Sequence, residues 1–224
     1  MSDRAKIFAA IRRALGVTGA EAARRRAVDA RLADPPESVI PARGQTADRV
    51  ALFRAEAERV FATVEVLAAA ADIPARIADF LRAKNLPPRL RMGADPYLAA
   101  LPWAATALTL DEGRADGGDR VGLSHAFAGI AETGTLALVS GPDNPTTLNF
   151  LPETHIVVVE AQKILGDYET FWQDLRAAYG AGAMPRTVNF ITGPSRSADI
   201  EQTLLLGAHG PRALHILIVG TVAV

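Results

Sequence analysis

Four short runs in the second half of the chain, residues 135–140, 155–159, 188–192 and 214–219, are largely apolar and rich in branched side chains, and helical patterns lie between them. Strands apolar at nearly every position are buried on both faces, so this alternation predicts an α/β fold: a mainly parallel sheet with helices on both faces. Residues 167–179 place Phe171, Trp172, Leu175 and Tyr179 on one helical face, and residues 198–206 do the same with Ile200 and Leu204. In the first half, residues 63–66, 89–92 and 107–110 read as further strands. Thr46 is suited to cap a helix carrying Val50, Phe53, Ala57 and Val60, and Asp72 with Pro74 starts another that buries Ile77, Phe80 and Leu81. A helical turn is expected around Asp95-Pro96-Tyr97, and residues 111–119 read as a charged, glycine-rich loop or hairpin tip.

Ahead of this domain, Ile7, Phe8, Ile11 and Leu15 recur at helical spacing and Gly16 stands where a left-handed cap would end the helix. Residues 20–33 favour a second helix, which Asp34-Pro35-Pro36 stops before an extended linker to Gln45. The expected organisation is an N-terminal helical arm and linker over residues 1–45 and an α/β domain over 46–224. With 224 residues the chain is long enough to bury a substantial core.

Charge and composition remove several function classes. A formal net charge of −1 gives no global field toward nucleic acid or an anionic membrane, and 6% aromatics leave little for base stacking. Arg24-Arg25-Arg26 and Arg31 are offset by Glu21, Asp29 and Asp34, as on a solvated helix face. The chain has no cysteine, which excludes disulfides, thiolate catalysis, thiolate zinc sites and iron–sulfur clusters ligated by its own thiolates. The start of the chain lacks the apolar core of a signal peptide. The final apolar run, broken by His215 and Gly220, is shorter than the ~20 residues that span a bilayer. A cytoplasmic protein is expected.

Ala131-Glu132-Thr133-Gly134-Thr135-Leu136 sets the one carboxylate of residues 126–138 beside two hydroxyls and a glycine. So placed, Glu132 suits a nucleophile or general base; burial would raise its pKa and donors from Thr133, Thr135 or the Gly134 amide would lower it. The alternative is a solvent-facing turn. Gly141-Pro142 and Gly193-Pro194 each follow a predicted strand, where ligands collect in open α/β sheets; the alternative is two tight turns. Ser195, Arg196 and Ser197, with amides of the helix expected next, would suit an anion. Ser197 is equally an ordinary cap, Asp199 and Glu201 already complement the helix end, and no Walker or Gly-x-Gly-x-x-Gly spacing occurs. Of the histidines, His125, His155, His209 and His215, none forms a metal pair at helical spacing, and no metal is expected. His155 and His215 sit in strands and read as structural. His209, in Gly207-Ala208-His209-Gly210-Pro211, is the best catalytic candidate, with no triad order to support a hydrolase.

Together, Ala131–Leu136, Leu151-Pro152-Glu153-Thr154-His155-Ile156, the run from Ile191 through Gly193-Pro194-Ser195-Arg196 to Glu201, and Gly207–Pro211 resemble the LUD domain of lactate-utilisation C proteins. The resemblance implies a bacterial protein working with two partners, at least one carrying iron–sulfur clusters, in oxidation of L-lactate to pyruvate. This chain would then be a non-redox subunit that binds no cofactor itself. It also implies a fold similar to ribose-5-phosphate isomerase and the CoA transferases, whose nucleophilic Glu-x-Gly segment is similar in form to Glu132-Thr133-Gly134. On this reading Glu132 and His209 are the catalytic candidates. Thr133, Gly134, Thr135, Gly141, Gly193, Pro194, Ser195, Arg196 and Gly210 bind a small carboxylate or other anion.

Two departures stand out. Ser124-His125 replaces an acidic residue expected in many relatives, and residues 142–149 lack an expected arginine, so Arg196 becomes the substitute carboxylate anchor. The alternatives are a stand-alone enzyme using Glu132 on a CoA thioester or sugar phosphate, and a regulatory module that binds a small carboxylate.

Overall fold

A computed structural model describes residues 2–34, 39–180, 182–198 and 204–220, which divide into two compact units, Met1–Val39 and Ile40–Val224. The first unit holds α1 (Asp3–Leu15) and α2 (Ala22–Ala33). The Ser2 hydroxyl accepts the Ala5 N–H at 3.4 Å at one end of α1, and Gly16, at φ 64°, closes the other as its position predicts. Neither helix buries a residue, so the apolar stripe of Ile7, Phe8, Ile11 and Leu15 is exposed.

The second unit runs α3 (Arg49–Arg59), β1 (Thr63–Leu67), α4 (Ile73–Ala83), β2 (Arg89–Met92), α5 (Pro96–Ala99), β3 (Thr109–Glu112), β4 (Val121–His125), β5 (Ala128–Ile130) and β6 (Thr135–Val139). It continues with β7 (Thr154–Glu160), β8 (Ile164–Leu165), α6 (Tyr168–Tyr179), β9 (Val188–Ile191), β10 (Arg196–Ala198), β11 (Leu204–Leu206) and β12 (Ala213–Val219). Six strands, in the order β1-β12-β7-β4-β2-β3, form a sheet in which every pairing is parallel. At its centre β7 and β12 are buried on both faces, the reason their sequences do not alternate.

Ile73, Ile77 and Leu81 of α4 and Leu98 of α5 cover one face, against Ile156, Val158, Leu217 and Leu123. Phe53 and Ala57 of α3, with Leu136 and Leu138 of β6, cover the other, against Val157, Val159, Ile216 and Ile218. Each such side chain removed from water contributes about 1.5–3 kcal/mol before entropy is counted. The mainly parallel sheet flanked by helices is the expected architecture. Among the described residues no helix is long and apolar enough to cross a membrane.

Several local expectations are corrected. The runs at 135–140 and 188–192 are strands, but they leave the parallel sheet: β6 and β9 pair antiparallel in a separate sheet of order β8-β5-β6-β9. Phe171 and Leu175 of α6 back this sheet against Ala128, Ile130 and Ala137. The helix expected over 198–206 is absent at both described ends, where β10 and β11 pair antiparallel with Ser197 opposite Leu205; residues 199–203 lie outside the described residues. Helical spacing of two apolar residues carries no information about local strand pairing, which won here. The cap of α3 is Asp48, whose carboxylate accepts the Ala51 N–H at 2.9 Å, rather than Thr46, and the strand expected at 107–110 begins two residues later. Just before α3, Gln45 donates to Asp167 at 2.8 Å and Arg43 pairs with the buried Glu56.

Candidate functional site

A cavity of about 570 Å3 opens at the amino ends of β7 and β12. Its wall comprises Asn149 and Phe150 before β7, His155 and Leu214 at the starts of the two strands, residues 190–196 at the end of β9 and beyond, and residues 209–211 before β12. Ser195 ties the two loops together: its N–H donates to the Pro211 carbonyl at 2.8 Å, its carbonyl accepts from Gly207 at 3.0 Å, and its hydroxyl accepts the His209 N–H at 3.3 Å. Gly193 has φ 75°, and a Cβ there would stand 2.3 Å from the Val60 carbonyl oxygen, so only glycine lets this loop lie against the end of α3. Arg196 is exposed, with its guanidinium 5.0 Å from the centre of the Phe61 ring. No carboxylate belongs to the described lining.

A buried polar chain backs the wall on the strand side. His155 Nε2 lies 2.9 Å from the Ser124 hydroxyl, which donates to Asn149 Oδ1 at 3.3 Å. Burial pushes the His155 imidazole down to about 3, so it is neutral at physiological pH. Its Nδ1 has no partner among the described residues, and the same holds for Asn149 Nδ2 and Asn189 Nδ2. The sequence marks Thr192 only as the first residue of the glycine–proline loop and Ser124 only as a departure from the resemblance, it does not mark Asn149, and His155 reads as structural; their placement arises from segments that meet only in the fold.

Glu132 lies in the turn between β5 and β6 and is 8% exposed. Burial pushes its carboxyl up; the Tyr168 amide opposes this, and the charges of Asp167 and Glu169 push it further up. Asp167 behaves oppositely. Burial raises it, but the Thr170 amide and hydroxyl, Gln45 and Arg49 outweigh that and hold it below the usual range. Gly134, at φ 65°, turns the chain where a Cβ would stand 2.3 Å from the Ala57 nitrogen.

The hydroxyls of Thr133 and Thr135 lie 2.7 Å apart, Tyr168 donates to Thr135 at 3.0 Å, and Thr135 meets Thr192 at 2.7 Å. Thr192 lines the cavity, so this hydroxyl cluster joins the Glu132 turn to its wall. Gly193, Pro194, Ser195, Arg196, His209 and Gly210 are thus brought together around one recess. Glu132, Thr133, Gly134 and Thr135 sit one layer behind it. Gly141 stands at the other end of β6, where the Pro142 carbonyl accepts from Ala94 at 3.0 Å, beyond β2.

The remaining histidines are partnered at one nitrogen. His215 Nδ1 meets the Thr63 hydroxyl at 2.8 Å, its ring stacks on Phe80 at 4.0 Å, and burial pushes it down to about 4. His125 Nδ1 lies 3.3 Å from Asp95 and its ring stacks on Tyr97 at 4.5 Å, at the carboxyl end of the parallel sheet. There Tyr97, Glu160 and Gln162 border a smaller cavity of about 250 Å3. No group of three or more His, Cys, Asp or Glu residues able to hold a metal occurs among the described residues.

Over 96 residues the chain is 42% identical to an uncharacterized protein of Neisseria meningitidis serogroup B, covering 43% of this chain and 40% of that one. Over 100 residues it is 37% identical to Lactate utilization protein C of Geobacillus thermodenitrificans and to that of Bacillus subtilis, in each case covering 44% of this chain and 42% of the relative. The chain thus spans about two fifths of the length of the curated relatives it matches. A crystal structure of a DUF162 family protein from Deinococcus radiodurans superposes with a TM-score of 0.57 at 22% identity, over 78% of this chain and 98% of that one, which shows a shared fold. The LUD domain family model matches residues 50–219, well over half of the chain and nearly all of its α/β unit, and the chain belongs to that family.

Proposed function

We propose that this chain serves lactate utilisation as the non-redox, carboxylate-binding component of an assembly that oxidises L-lactate to pyruvate. The observation that carries the reading is the convergence of the loops 193–196 and 209–211 with the start of β7 on one cavity whose described lining includes Arg196 and His209 and no carboxylate. A recess of that sign suits a small anion. The names of the Lactate utilization protein C relatives point to lactate. The lack of cysteine fits a division of labour in which iron–sulfur clusters belong to partner subunits.

The test is genetic and biochemical together. Deleting the gene in the native host is expected to abolish growth on L-lactate, with wild-type sequence restoring it, and the tagged chain is expected to co-purify with an iron–sulfur protein. Unimpaired growth on L-lactate together with no such partner would refute the role.

A second reading is favoured by Glu132, whose buried carboxyl binds its proton more tightly than usual. Under it the chain acts alone on a CoA thioester or sugar phosphate, with Glu132 as nucleophile. Glu132→Gln separates the two, since it would abolish turnover of such substrates in the second reading and leave lactate-dependent growth intact in the first.

A further inference from the structure

Helices α1, α3 and α4 end in the same hydrogen-bonded turn. In each, one N–H reaches back five residues to a carbonyl and the N–H before it reaches back three: Val17 to Arg12 and Gly16 to Arg13 after α1, Leu86 to Leu81 and Asn85 to Arg82 after α4, Ala62 to Ala57 and Phe61 to Glu58 after α3. This pattern puts the residue before the last donor in the left-handed region, which suits glycine and, after it, asparagine. Gly16 at φ 64° and Asn85 at φ 52° conform, but α3 has Phe61 there, at φ 71°. A bulky side chain in that region crowds its own backbone, so the turn is strained. Burial does not offset the strain, because Phe61 is 63% exposed.

What the exposed ring meets is Arg196, whose guanidinium lies over it, 5.0 Å from its centre. The same turn meets the loop just ahead of Arg196, since the Val60 carbonyl oxygen is the atom that a Cβ at Gly193 would strike at 2.3 Å. The end of α3 therefore touches the cavity loop twice, once through its backbone and once through this ring. An exposed arginine samples many rotamers; over an aromatic face it is held by the ring quadrupole, and its N–H groups stay in the guanidinium plane, open to a carboxylate. Resting on the carboxylate-binding reading above, we propose that Phe61 is a positioning residue of the anion site: its ring, carried on a backbone conformation that phenylalanine tolerates poorly, sets the Arg196 guanidinium at the cavity rim. Phe61 is not part of the described lining and acts through Arg196.

The test is calorimetric titration of the full chain with L-lactate, alongside thermal unfolding, for Phe61→Leu, Phe61→Gly and Phe61→Tyr. The first loses the ring and keeps a strained side chain, the second loses both ring and strain, and the third keeps both. The two ringless variants are expected to bind L-lactate roughly 2–5-fold more weakly, the scale of one exposed cation–π contact. They should do so alike, although Phe61→Gly unfolds ~2–4 °C above Phe61→Leu. Phe61→Tyr should keep the original affinity. Added to Arg196→Ala, Phe61→Leu should cause no further loss, because the two side chains act as one unit. In the unmodified chain the side-chain proton signals of Arg196 should be shifted upfield by the ring, a readout that needs no variant to fold.

Affinity that follows stability, with Phe61→Gly binding better than Phe61→Leu, overturns the inference. So does unchanged affinity in both, a further loss on top of Arg196→Ala, or Arg196 protons without the ring shift. The carboxylate-binding reading is judged apart from it. If Arg196→Ala weakens L-lactate binding and the Phe61 variants do not, this inference falls and that reading stands; if the unmodified chain binds no L-lactate, both fall. Growth on L-lactate decides the wider role separately.

Discussion

The two ends of the parallel sheet are built on opposite plans. At the carboxyl ends, where open α/β sheets usually hold ligands, His125 is paired with Asp95, Tyr97 stacks over it, and Glu160 borders a cavity of about 250 Å3. At the amino ends a cavity of about 570 Å3 has no carboxylate in its described lining, and three side-chain nitrogens near it lack partners. One end is bordered by carboxylates and the other, in its described lining, by the Arg196 cation; buried polar atoms without a described partner occur at both, His125 Nε2 at the first and His155 Nδ1 at the second. The difference teaches that the small mixed sheet matters as much as the large one. By laying β9 along the amino half, it carries the loop 193–196 to the end that the usual rule would leave empty.

The largest effect that sharpens this contrast is expected at Gly193. Gly193→Ala combines a left-handed backbone with a Cβ pressed on the Val60 carbonyl, and should cost about 3 kcal/mol in denaturant unfolding. Gly180→Ala, at φ 86° and ψ 166° with open space around it, should cost less, about 2 kcal/mol from backbone strain alone. Equal costs would remove the argument that the loop is pinned to α3.

Acid should weaken the amino half first. His155 and His215 are neutral when folded, pushed by burial to about 3 and about 4, while in the unfolded chain they titrate near 6.5. Below pH 6.5 the unfolded state binds more protons, so stability falls as pH falls, until about pH 4 for His215 and about pH 3 for His155. Each ring contributes up to about 1.4 kcal/mol per pH unit in its window. Hydrogen exchange should show the starts of β7 and β12 losing protection between pH 6.5 and 5 ahead of the carboxyl end of β4. Uniform loss would break the comparison.

Removing the cation at the amino end, Arg196→Ala, should weaken carboxylate binding by roughly 10-fold, the scale of one charge-assisted hydrogen bond. Asp95→Ala at the carboxyl end should leave that affinity within about twofold while lowering stability by about 1 kcal/mol, because Asp95 also caps α5 through the Leu98 N–H at 2.8 Å. Reversed outcomes in the titration would move the site to the other end. The smallest effect is expected at Glu132. Its raised pKa means the folded state holds the proton longer, so stability declines as pH rises through that range. Glu132→Gln should therefore stabilise the protein at pH 7 by less than about 1 kcal/mol without altering carboxylate affinity.

Much of the fold was legible because it depends on local chemistry. The cap at Gly16, Pro74 at the start of α4, and the double-sided apolar runs of β7 and β12 all follow from side-chain spacing. β4 was not legible, since Gly122 and Ser124 interrupt its pattern with poor strand formers, although it sits beside β7. Of the candidate site, the segments around Ser195 and His209 stand out by their glycines and proline. Asn149 and Ser124 carry no such mark, and an ordinary strand histidine looks the same as His155 until its neighbours are known.

Sequence alone determined where the longer elements lie, β7, β12, α4 and α6 among them, which of their faces are apolar, and that the chain supplies no thiolate. These are properties of neighbouring residues and of the period of the backbone. Tertiary structure alone decided that β6 and β9 leave the parallel sheet, that the ends of the segment 196–206 pair as strands, and that Ser124, Asn149 and His155 share one hydrogen-bond chain. Strand partners are chosen by contacts between segments far apart in the chain, and no local period encodes which of several apolar strands will lie side by side.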